Sequence, residues 1–395
     1  MRRVYLDNNA TTRTDPEVVA KMLPFFVQEF GNASSSHSFG VEAAMAVREA
    51  RRGVQQLLGA AHDHEIVFTS GGTESNSSAV LAGLAAREGR DEIITTAVEH
   101  PAILSLVEYL RKTGAVKAHF IGVDARGRID IDAYRAALGP KTAIVSAMWA
   151  NNETGTLFPV EELARLAHAA GALFHTDAVQ AVGKIPIELK TTDIDFLTLS
   201  AHKLHGPKGV GALYVRKGTK FAPFIRGGHQ ERGRRGGTEN TPGIIGLGVA
   251  AELARTRMRE DAAHVGALRD RLERGVIRRI GQCRVSGDVD NRLLNTSNIA
   301  FSDIEGEAIL VHLDRAGIAA STGSACTAGS TEPSHVLRAM RVPDDALHGA
   351  VRFSLSRENT VEEIDEVLRT LPGVVTKLRE IAQASRHREA EPINN

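Results

Sequence analysis

The stretch EIITTAVEHPAILSLVEYLRKTG, residues 92–114, carries one complete strand-and-helix unit. Four of its first six residues are β-branched, which is typical of a buried strand. Pro101 suits the first turn of the helix that follows, and Gly114 suits the position just after its last turn. The stretch therefore predicts a strand followed by a helix, which is the repeating unit of α/β proteins.

The same unit recurs from about residue 65 to residue 215. The further strand candidates are EIVFT, KAHFIG, TAIVSAMW, ALFHTD, DFLTLS and GALYV, with helical patterns such as SSAVLAGLAAREG and PVEELARLAHAAG between several of them. This alternation predicts an α/β domain built on a mostly parallel sheet. Ligands in such sheets bind beyond the carboxyl ends of the strands, so the loops after the strands are the place to look for chemistry.

The C-terminal third has a different pattern, which predicts a second, smaller domain. A long helical stretch leads into a mixed segment with strands near SNIAF and VRFSLS and helices near EGEAILVHLDRAG and TVEEIDEVLRTL. We expect an N-terminal arm (1–15) that packs with the small domain, a large domain (16–255) and a small domain (256–382). The polar residues 383–395 are expected to be a disordered tail.

The amino-acid composition argues against a nucleic-acid-binding, a membrane-spanning or a disulfide-rich protein. Of 395 residues, 48 are Lys or Arg and 48 are Asp or Glu, so no overall field favours nucleic acid or an anionic membrane. No stretch approaches the roughly 18–20 apolar residues of a membrane span. Two cysteines, Cys283 and Cys326, are too few for a disulfide framework, which favours a cytoplasmic location.

Three segments after predicted strands carry candidate chemistry. In SGGTES, Gly71 and Gly72 open a helix, which is either an ordinary turn or a phosphate site at the free helix amides. Asp177 in HTDAVQ is either a helix cap or the partner of a buried cation. Lys203 in SAHKLHGPKG is either a surface charge or, if desolvated, an amine able to form a Schiff base. Together the three fit the binding set of pyridoxal phosphate.

Three other sequence features are not assigned to catalysis or to metal binding. GLGVAA (246–251) resembles a dinucleotide fingerprint, but it follows no clear strand, so its glycines are expected to pack helices. Neither HDH (62–64) nor the pair His202 and His205 has the further ligands of a metal site, and no intrinsic metal is expected. The arginine-rich stretch 225–240 is interpreted as a loop that reaches an anionic ligand or a partner subunit.

Nine motifs in this order resemble the NifS/IscS family of cysteine desulfurases: YLDNNATT, SGGTES, VEHPA, NNETG, HTDAVQ, SAHKLHGPKG, RRGGTEN, STGSACTAGS and VRFSLS. They span about residues 4–380, and MWANNETGTLFP and GGHQERGRRGGTEN look closer to the nitrogen-fixation type, NifS. The resemblance implies a homodimeric, fold-type-I, pyridoxal-phosphate-dependent transferase. Its large domain would hold a mostly parallel seven-stranded sheet, beside a smaller α+β C-terminal domain.

The resemblance also implies roles for individual residues. Lys203 would hold the cofactor as a Schiff base, Asp177 would pair with its ring nitrogen, and His100 would stack on the ring and assist proton transfer. Gln180 would bond to the ring oxygen. The phosphate would be bound by Gly72, Thr73, Ser200 and His202, together with Thr238 of the partner subunit. Asn152 would lie near the cofactor and the substrate, Arg352 would bind the substrate carboxylate, and Cys326 would be the thiol that accepts the sulfur.

Cys326 lies among small residues, STGSACTAGS, where Gly323 and Gly329 would supply a mobile tether. The implied reaction converts L-cysteine to L-alanine and leaves a persulfide on Cys326. The sulfur would serve iron–sulfur cluster assembly, including nitrogenase maturation, on a NifU-like scaffold whose cluster Cys326 would contact only transiently. Docking of a scaffold by the terminal ASRHREAEPINN is not expected, and Cys283 is expected to be structural.

Alternatives remain open at this point. A selenocysteine lyase or an aminotransferase would use the same cofactor, and an aminotransferase would have no use for Cys326. A non-catalytic sulfur carrier or ligand sensor would share the fold without turnover. An NAD-binding oxidoreductase would rest on GLGVAA alone.

Overall fold

The computed structural model describes residues 3–322 and 332–390, with side chains up to residue 384. Cys326 and its predicted tether glycines, Gly323 and Gly329, lie outside the described residues, as do residues 391–395. The strands are β1 (Val4–Tyr5), β2 (Ile66–Thr69), β3 (Glu92–Thr96), β4 (Lys117–Ile121), β5 (Thr142–Ser146), β6 (Leu173–Asp177), β7 (Phe196–Ser200), β8 (Gly211–Val215), β9 (Cys283–Ser286), β10 (Thr296–Phe301), β11 (Ile318–Ala319) and β12 (Ala350–Ser354).

The helices are α1 (Pro16–Met22), α2 (Pro24–Val27), α3 (Ser38–Leu57), α4 (Gly72–Ala86), α5 (Pro101–Lys112), α6 (Ile131–Ala137), α7 (Val160–Ala169), α8 (Gln230–Gly233), α9 (Thr241–Arg279), α10 (Gly306–Arg315), α11 (His335–Ala339), α12 (Asp344–Leu347) and α13 (Val361–Ala390). The predicted helix signals at α5 are confirmed. Pro101 is its first residue, and Gly114, just past its end, has a φ of 74°.

A seven-stranded sheet forms the centre of the large domain, in the order β2-β8-β7-β6-β5-β3-β4. The pairs from β7 to β4 are all parallel, and only β8 runs antiparallel to both of its neighbours. All seven strands predicted between residues 65 and 215 are present in this sheet. The predicted α/β class and mostly parallel sheet are confirmed.

Both faces of this sheet are buried along β2, β5, β6, β7 and β8, which explains why these strands are largely apolar, whereas the edge strand β4 is partly exposed. Consecutive residues point to opposite faces, so Ile93 and Val67 lie in one core, while Ile94 and Phe68 lie in the other. Helices cover both faces, and the polar ends of the strands are left to meet at one edge.

The C-terminal part builds a three-stranded antiparallel sheet, β12-β10-β9, over a core of its own. Val4 and Leu6 from the N-terminus join this core, and β1 pairs in parallel with β11. Helix α9 passes from one core to the other, since Leu247 packs in the large core and Leu272 in the small one. The boundary expected near residue 255 falls inside this 39-residue helix.

The structure also bears on the expectations for GLGVAA and for the C-terminal tail. GLGVAA lies within α9, and a Cβ on Gly248 would come 2.5 Å from Cα of Ala50 in α3, so its glycines pack helices as expected. Helix α13 continues to Ala390, so residues 383–390 of the expected tail are helical. The sequence contains no glycine or proline between residues 374 and 391 that would stop the helix earlier. Within the described ranges, no helix is both long and apolar enough to cross a membrane.

Candidate active site

A cavity of about 390 Å³ lies where the carboxyl ends of the central strands meet the C-terminal sheet. Its volume falls in the range of small-molecule sites, about 300–1,000 Å³. Ten of the predicted site residues line it: Gly72, Thr73, His100, Asn152, Asp177, Gln180, Ser200, His202, Lys203 and Arg352. Residues far apart in sequence are thus brought to one place by the order of the strands.

The first wall of the cavity is the turn between β2 and α4. Gly71 has a φ of 153°, a backbone conformation that residues with a side chain rarely adopt, and Gly72 is the first residue of the helix. A Cβ on Gly72 would come 3.0 Å from Cγ2 of Val179. The turn therefore keeps the free amides of α4 open to the cavity, where an anion such as a phosphate would bind.

A salt bridge holds this turn from outside. Arg235 donates from Nε to Oε1 of Glu74 at 2.9 Å, and the Ser70 amide donates to Oε2 of the same carboxylate at 2.9 Å. Burial works against ionisation of Glu74, but Arg235 and Ser70 outweigh it and hold the pKa below its ordinary value. One arginine of the basic stretch thus binds its own chain.

Asp177 ends β6 with its carboxylate almost fully buried. Its Oδ2 accepts a hydrogen bond from Nδ2 of Asn76 at 2.7 Å, and its Oδ1 accepts from the Val179 amide at 3.0 Å. Since Asp177 also lines the cavity, it can take a cationic partner there. Among the residues described, nothing bonds to Oδ1 of the buried Asn76.

Lys203 follows β7 in a short 3-10 turn, Ala201–Lys203, close beside the N-terminal segment. Its Nζ donates to the carbonyls of Asn9 at 2.7 Å and Ala10 at 2.6 Å. The neighbouring His202 is half-buried, and burial, followed by the charges of Lys203 and Lys208, lowers its pKa to about 4. The imidazole of His202 is therefore neutral at pH 7.

His100 is the N-cap of α5 and accepts a hydrogen bond at Nδ1 from the Ala102 amide, at 3.1 Å. In the neutral ring the proton consequently lies on Nε2. Burial lowers the pKa of His100, and the charges of Lys203 and His335 add to that effect while Asp177 opposes it. A neutral imidazole therefore faces the site at physiological pH.

Arg352 reaches the cavity from β12 and is 2% exposed. Its guanidinium donates from Nη1 to the Asn152 carbonyl at 3.0 Å and from Nη2 to Oδ1 of Asp7 at 2.7 Å. The Nε of Arg352 has no hydrogen-bond partner within the described part of the chain. A guanidinium that lines a cavity suits a carboxylate ligand.

The two other predicted site residues are Thr238 and Cys326. Thr238 is exposed on the loop after Arg235, and Cys326 lies outside the described residues. Both flanks of the Cys326 segment are nevertheless fixed near the cavity. Ser321 pairs through its backbone with Arg352, and His335 bonds through Nε2 to the carbonyl of Glu99 at 2.9 Å.

Sequence reasoning gave no role to three residues at this site. Asn9 donates to the carbonyl of Asn152 at 3.1 Å and accepts from Lys203, so it connects two walls of the cavity. Asn76 braces Asp177, and Asp7 pairs with Arg352. Asn76 had a usable signal, since it lies one helical turn after Gly72 on the same face. Asn9 and Asp7 had none beyond their place in the YLDNNATT motif.

The remaining cysteine is remote from this chemistry. Cys283 opens β9, and its half-buried thiol donates to the Ile280 carbonyl at 3.0 Å. Burial raises the pKa of the thiol, which makes it a poor nucleophile. No group of three or more His, Cys, Asp or Glu side chains able to hold a metal occurs in the described ranges.

Comparisons with known proteins give a consistent answer. The aminotransferase class-V family matches residues 4–367. A cysteine desulfurase of Gluconacetobacter diazotrophicus is 65% identical over 97% of this chain and 96% of its own. The cysteine desulfurase NifS of Azotobacter vinelandii is 60% identical over 97% and 95%. Among solved structures, a NifS-like protein superposes with a TM-score of 0.89 at 39% identity, covering 95% of this chain and 100% of that one.

Proposed function

Because the chain belongs to the aminotransferase class-V family, and within it to the cysteine desulfurases, we propose that it removes sulfur from L-cysteine. The products would be L-alanine and a persulfide on Cys326. The single observation that carries the proposal is the convergence of an amine, a buried carboxylate and free helix amides on one cavity. They belong to Lys203, Asp177 and the start of α4.

The residues present fit pyridoxal phosphate. Lys203 would attach it, Asp177 would pair with its ring nitrogen, and the amides of Gly72 and Thr73 would hold its phosphate together with Ser200. The absence of Cβ atoms at the α4 turn, which leaves its amides open to the cavity, supports this fit. When bound, the cofactor supplies an electron sink that stabilises the charge left when the α-proton of the substrate is removed.

The chain's own residues would then bind and orient the substrate. The guanidinium of Arg352, which lines the cavity, would hold the carboxylate of L-cysteine through its charge, with Asn152 beside it. His100 would hold or donate a proton at Nε2, since its Nδ1 is occupied by the Ala102 amide. A neutral His100 keeps that role available across physiological pH.

Cys326 would accept the sulfur. Its thiolate would attack the sulfur of L-cysteine, so that an S–S bond forms, the C–S bond breaks, and the carbon fragment leaves as alanine after protonation. Four residues lie between Ser321 and Cys326, so the chain can span at most about 18 Å between their Cα atoms. Since Ser321 pairs with Arg352, this chain length allows the thiol to reach the cavity.

We propose that the persulfide supplies sulfur for iron–sulfur cluster assembly in the cytoplasm. The 60% identity with a protein named NifS supports a NifU-like scaffold as the acceptor and a role in nitrogenase maturation. The presence of only two cysteines supports a reducing compartment.

We also propose a homodimer. An apolar patch, formed by Leu23, Phe26, Val27, Phe30, Phe39 and Met45, lies exposed on and around α1, α2 and the start of α3. Val27 is 72% exposed and Phe30 is 66% exposed, which a monomer in water would not favour. The exposed Thr238 would complete the phosphate site of the partner subunit, which explains why it does not line its own cavity.

The test is release of sulfide and alanine from L-cysteine, in the presence of a thiol reductant. The wild type should release both in equal amounts. Cys326→Ala should release neither, while its visible spectrum still changes when cysteine is added. Cys283→Ala is the matched control and should keep its activity. Full activity of Cys326→Ala would favour the lyase alternative instead.

A further inference from the structure

Lys184 makes an unusual pair of contacts just behind the candidate active site. Its Nζ donates to the main-chain carbonyl of Gln180 at 3.0 Å and to Oε1 of the same residue at 3.0 Å. No other hydrogen bond of this Nζ occurs in the described part of the chain. Both hydrogen bonds of Lys184 therefore go to Gln180, and Gln180 lines the cavity.

These contacts decide which way the amide of Gln180 points. Its Nε2 donates to the Asn9 carbonyl at 2.9 Å, and Asn9 also accepts from Lys203 at 2.7 Å. If the amide were reversed, Oε1 would face the carbonyl oxygen and Nε2 would face the ammonium group of Lys184. The contact with the Asn9 carbonyl would then be repulsive, and so would the contact with Lys184 in its charged form, so the observed orientation is the one that suits both partners.

In that orientation Gln180 presents a donor to the cavity. One N–H of Nε2 goes to the Asn9 carbonyl, and the second is left for an acceptor inside the cavity. Gln180 lies three residues after Asp177 in the same segment, so a ligand that reaches Asp177 also reaches this donor.

Stability alone does not explain a lysine at this position. Burial, together with the charges of Lys203 and Arg352, lowers the pKa of Lys184 to about 7, so the site disfavours the charged amine. An apolar side chain would avoid this cost. What the lysine adds is a donor aimed at Oε1 of Gln180, which an apolar residue lacks.

We propose that Lys184 is a positioning residue that holds the amide of Gln180 with Nε2 toward the cavity, where it donates to an anionic ring oxygen of the bound cofactor. The inference rests on the proposed function, because that function supplies the ligand. Lys184 itself does not touch the ligand, and it acts only through Gln180.

The experiment is a pH titration of the visible absorption band of the resting holoenzyme, without substrate. A donor to an anionic oxygen stabilises its ionised form, so Lys184→Met should raise the pKa of the band by about one unit. Lys184→Gln should stay close to the wild type, since its side-chain amide can still donate to Oε1. Lys190→Met, at an exposed lysine on another turn, is the matched control and should not shift the band.

A double variant distinguishes positioning from a simple charge effect. In a Gln180→Leu background, Lys184→Met should add no further shift. An added shift of the same size would mean that Lys184 acts directly through its charge, and the inference would be wrong. An unshifted Lys184→Met holoenzyme would also overturn it, while leaving the proposed function intact. A wild type that develops no band with pyridoxal phosphate would overturn the proposed function and this inference with it.

Discussion

Glu99 is a buried carboxyl group directly beside His100 of the candidate active site. Its carboxyl is fully buried next to His100, and Oε1 accepts from Oγ1 of Thr96 at 2.7 Å and from the Met148 amide at 2.8 Å. Within the described part of the chain, Oε2 has no partner. Burial, assisted by the charge of Asp177, raises the pKa of Glu99 to about 8, so the group is mostly protonated at pH 7.

This buried acid predicts a pH dependence of stability. The pKa is about 4.5 in the unfolded chain and about 8 in the folded one, so folding favours the protonated form. The contribution of Glu99 is fully present below pH 4.5 and is lost progressively as the pH rises through about 8. Glu99→Gln stays neutral at every pH, so its stability relative to the wild type should rise across this window.

Denaturant unfolding of both proteins at pH 5, 6, 7 and 8 measures this difference. Glu260→Gln, at an exposed glutamate on α9, is the matched control. Parallel stability curves for Glu99→Gln and the wild type would show that Glu99 ionises normally in the folded protein.

Site residues that directly follow a predicted strand could be identified from the sequence, because ligands bind beyond the carboxyl ends of parallel strands. Lys203 and Asp177 each follow an apolar strand, and both line the cavity. Asn9 lies 194 residues from Lys203, and only the folded chain brings its carbonyl to the lysine. Lys184 looked like any polar residue in a turn, because its partner is decided by the conformation of that turn.

At the scale of elements, a glycine in β8 controls the turn that opens α4. A Cβ on Gly211 would come 2.7 Å from the Leu199 carbonyl oxygen and 2.8 Å from Cα of Gly71. The pair Gly71 and Gly72 could be predicted from the sequence as a site of close approach. Gly211 could not, because the insertion of antiparallel β8 between β2 and β7 is not visible in any local pattern.

Gly211→Ala should therefore disturb cofactor binding through the backbone. The methyl group would push the Gly71 turn, which should cost about 1–3 kcal/mol of stability and weaken pyridoxal phosphate binding by about tenfold or more. Titration of the apoprotein with the cofactor, followed by its visible absorbance, measures the affinity. Gly139→Ala is the matched control, since a Cβ there meets no atom within 4 Å. Equal affinities for the two variants would show that the turn tolerates the displacement.

At the scale of the whole molecule, the resemblance to the NifS/IscS family and the α/β class are confirmed. The alternating pattern predicted every strand of the main sheet, because most of those strands are buried apolar runs that alternate with amphipathic helices. The two-residue strands β1 and β11 were not predicted, since their pairing is tertiary and leaves no local pattern. The helical continuation of α13 was missed because polar residues were interpreted as disorder, although they are compatible with a helix.

The apolar patch around α2 would lie between two copies of the chain in the proposed homodimer. Phe30 and Phe39 bring their rings to 5.8 Å of each other there, and both remain exposed in one chain. If a second copy covers the patch, a charge in it would remain unpaired in an apolar interface. Phe26→Asp should therefore shift the protein from dimer to monomer, as measured by light scattering after gel filtration.

The same variant should also bind pyridoxal phosphate less tightly, because a monomer cannot receive Thr238 from a partner subunit. Thr238→Ala should lower the affinity in a protein that stays dimeric, which separates loss of this contact from loss of assembly. Val361→Asp, at an exposed valine that opens α13, is the matched control for the added charge and should stay dimeric. A monomeric wild type, or a Phe26→Asp variant that remains dimeric with full affinity, would contradict the proposed interface.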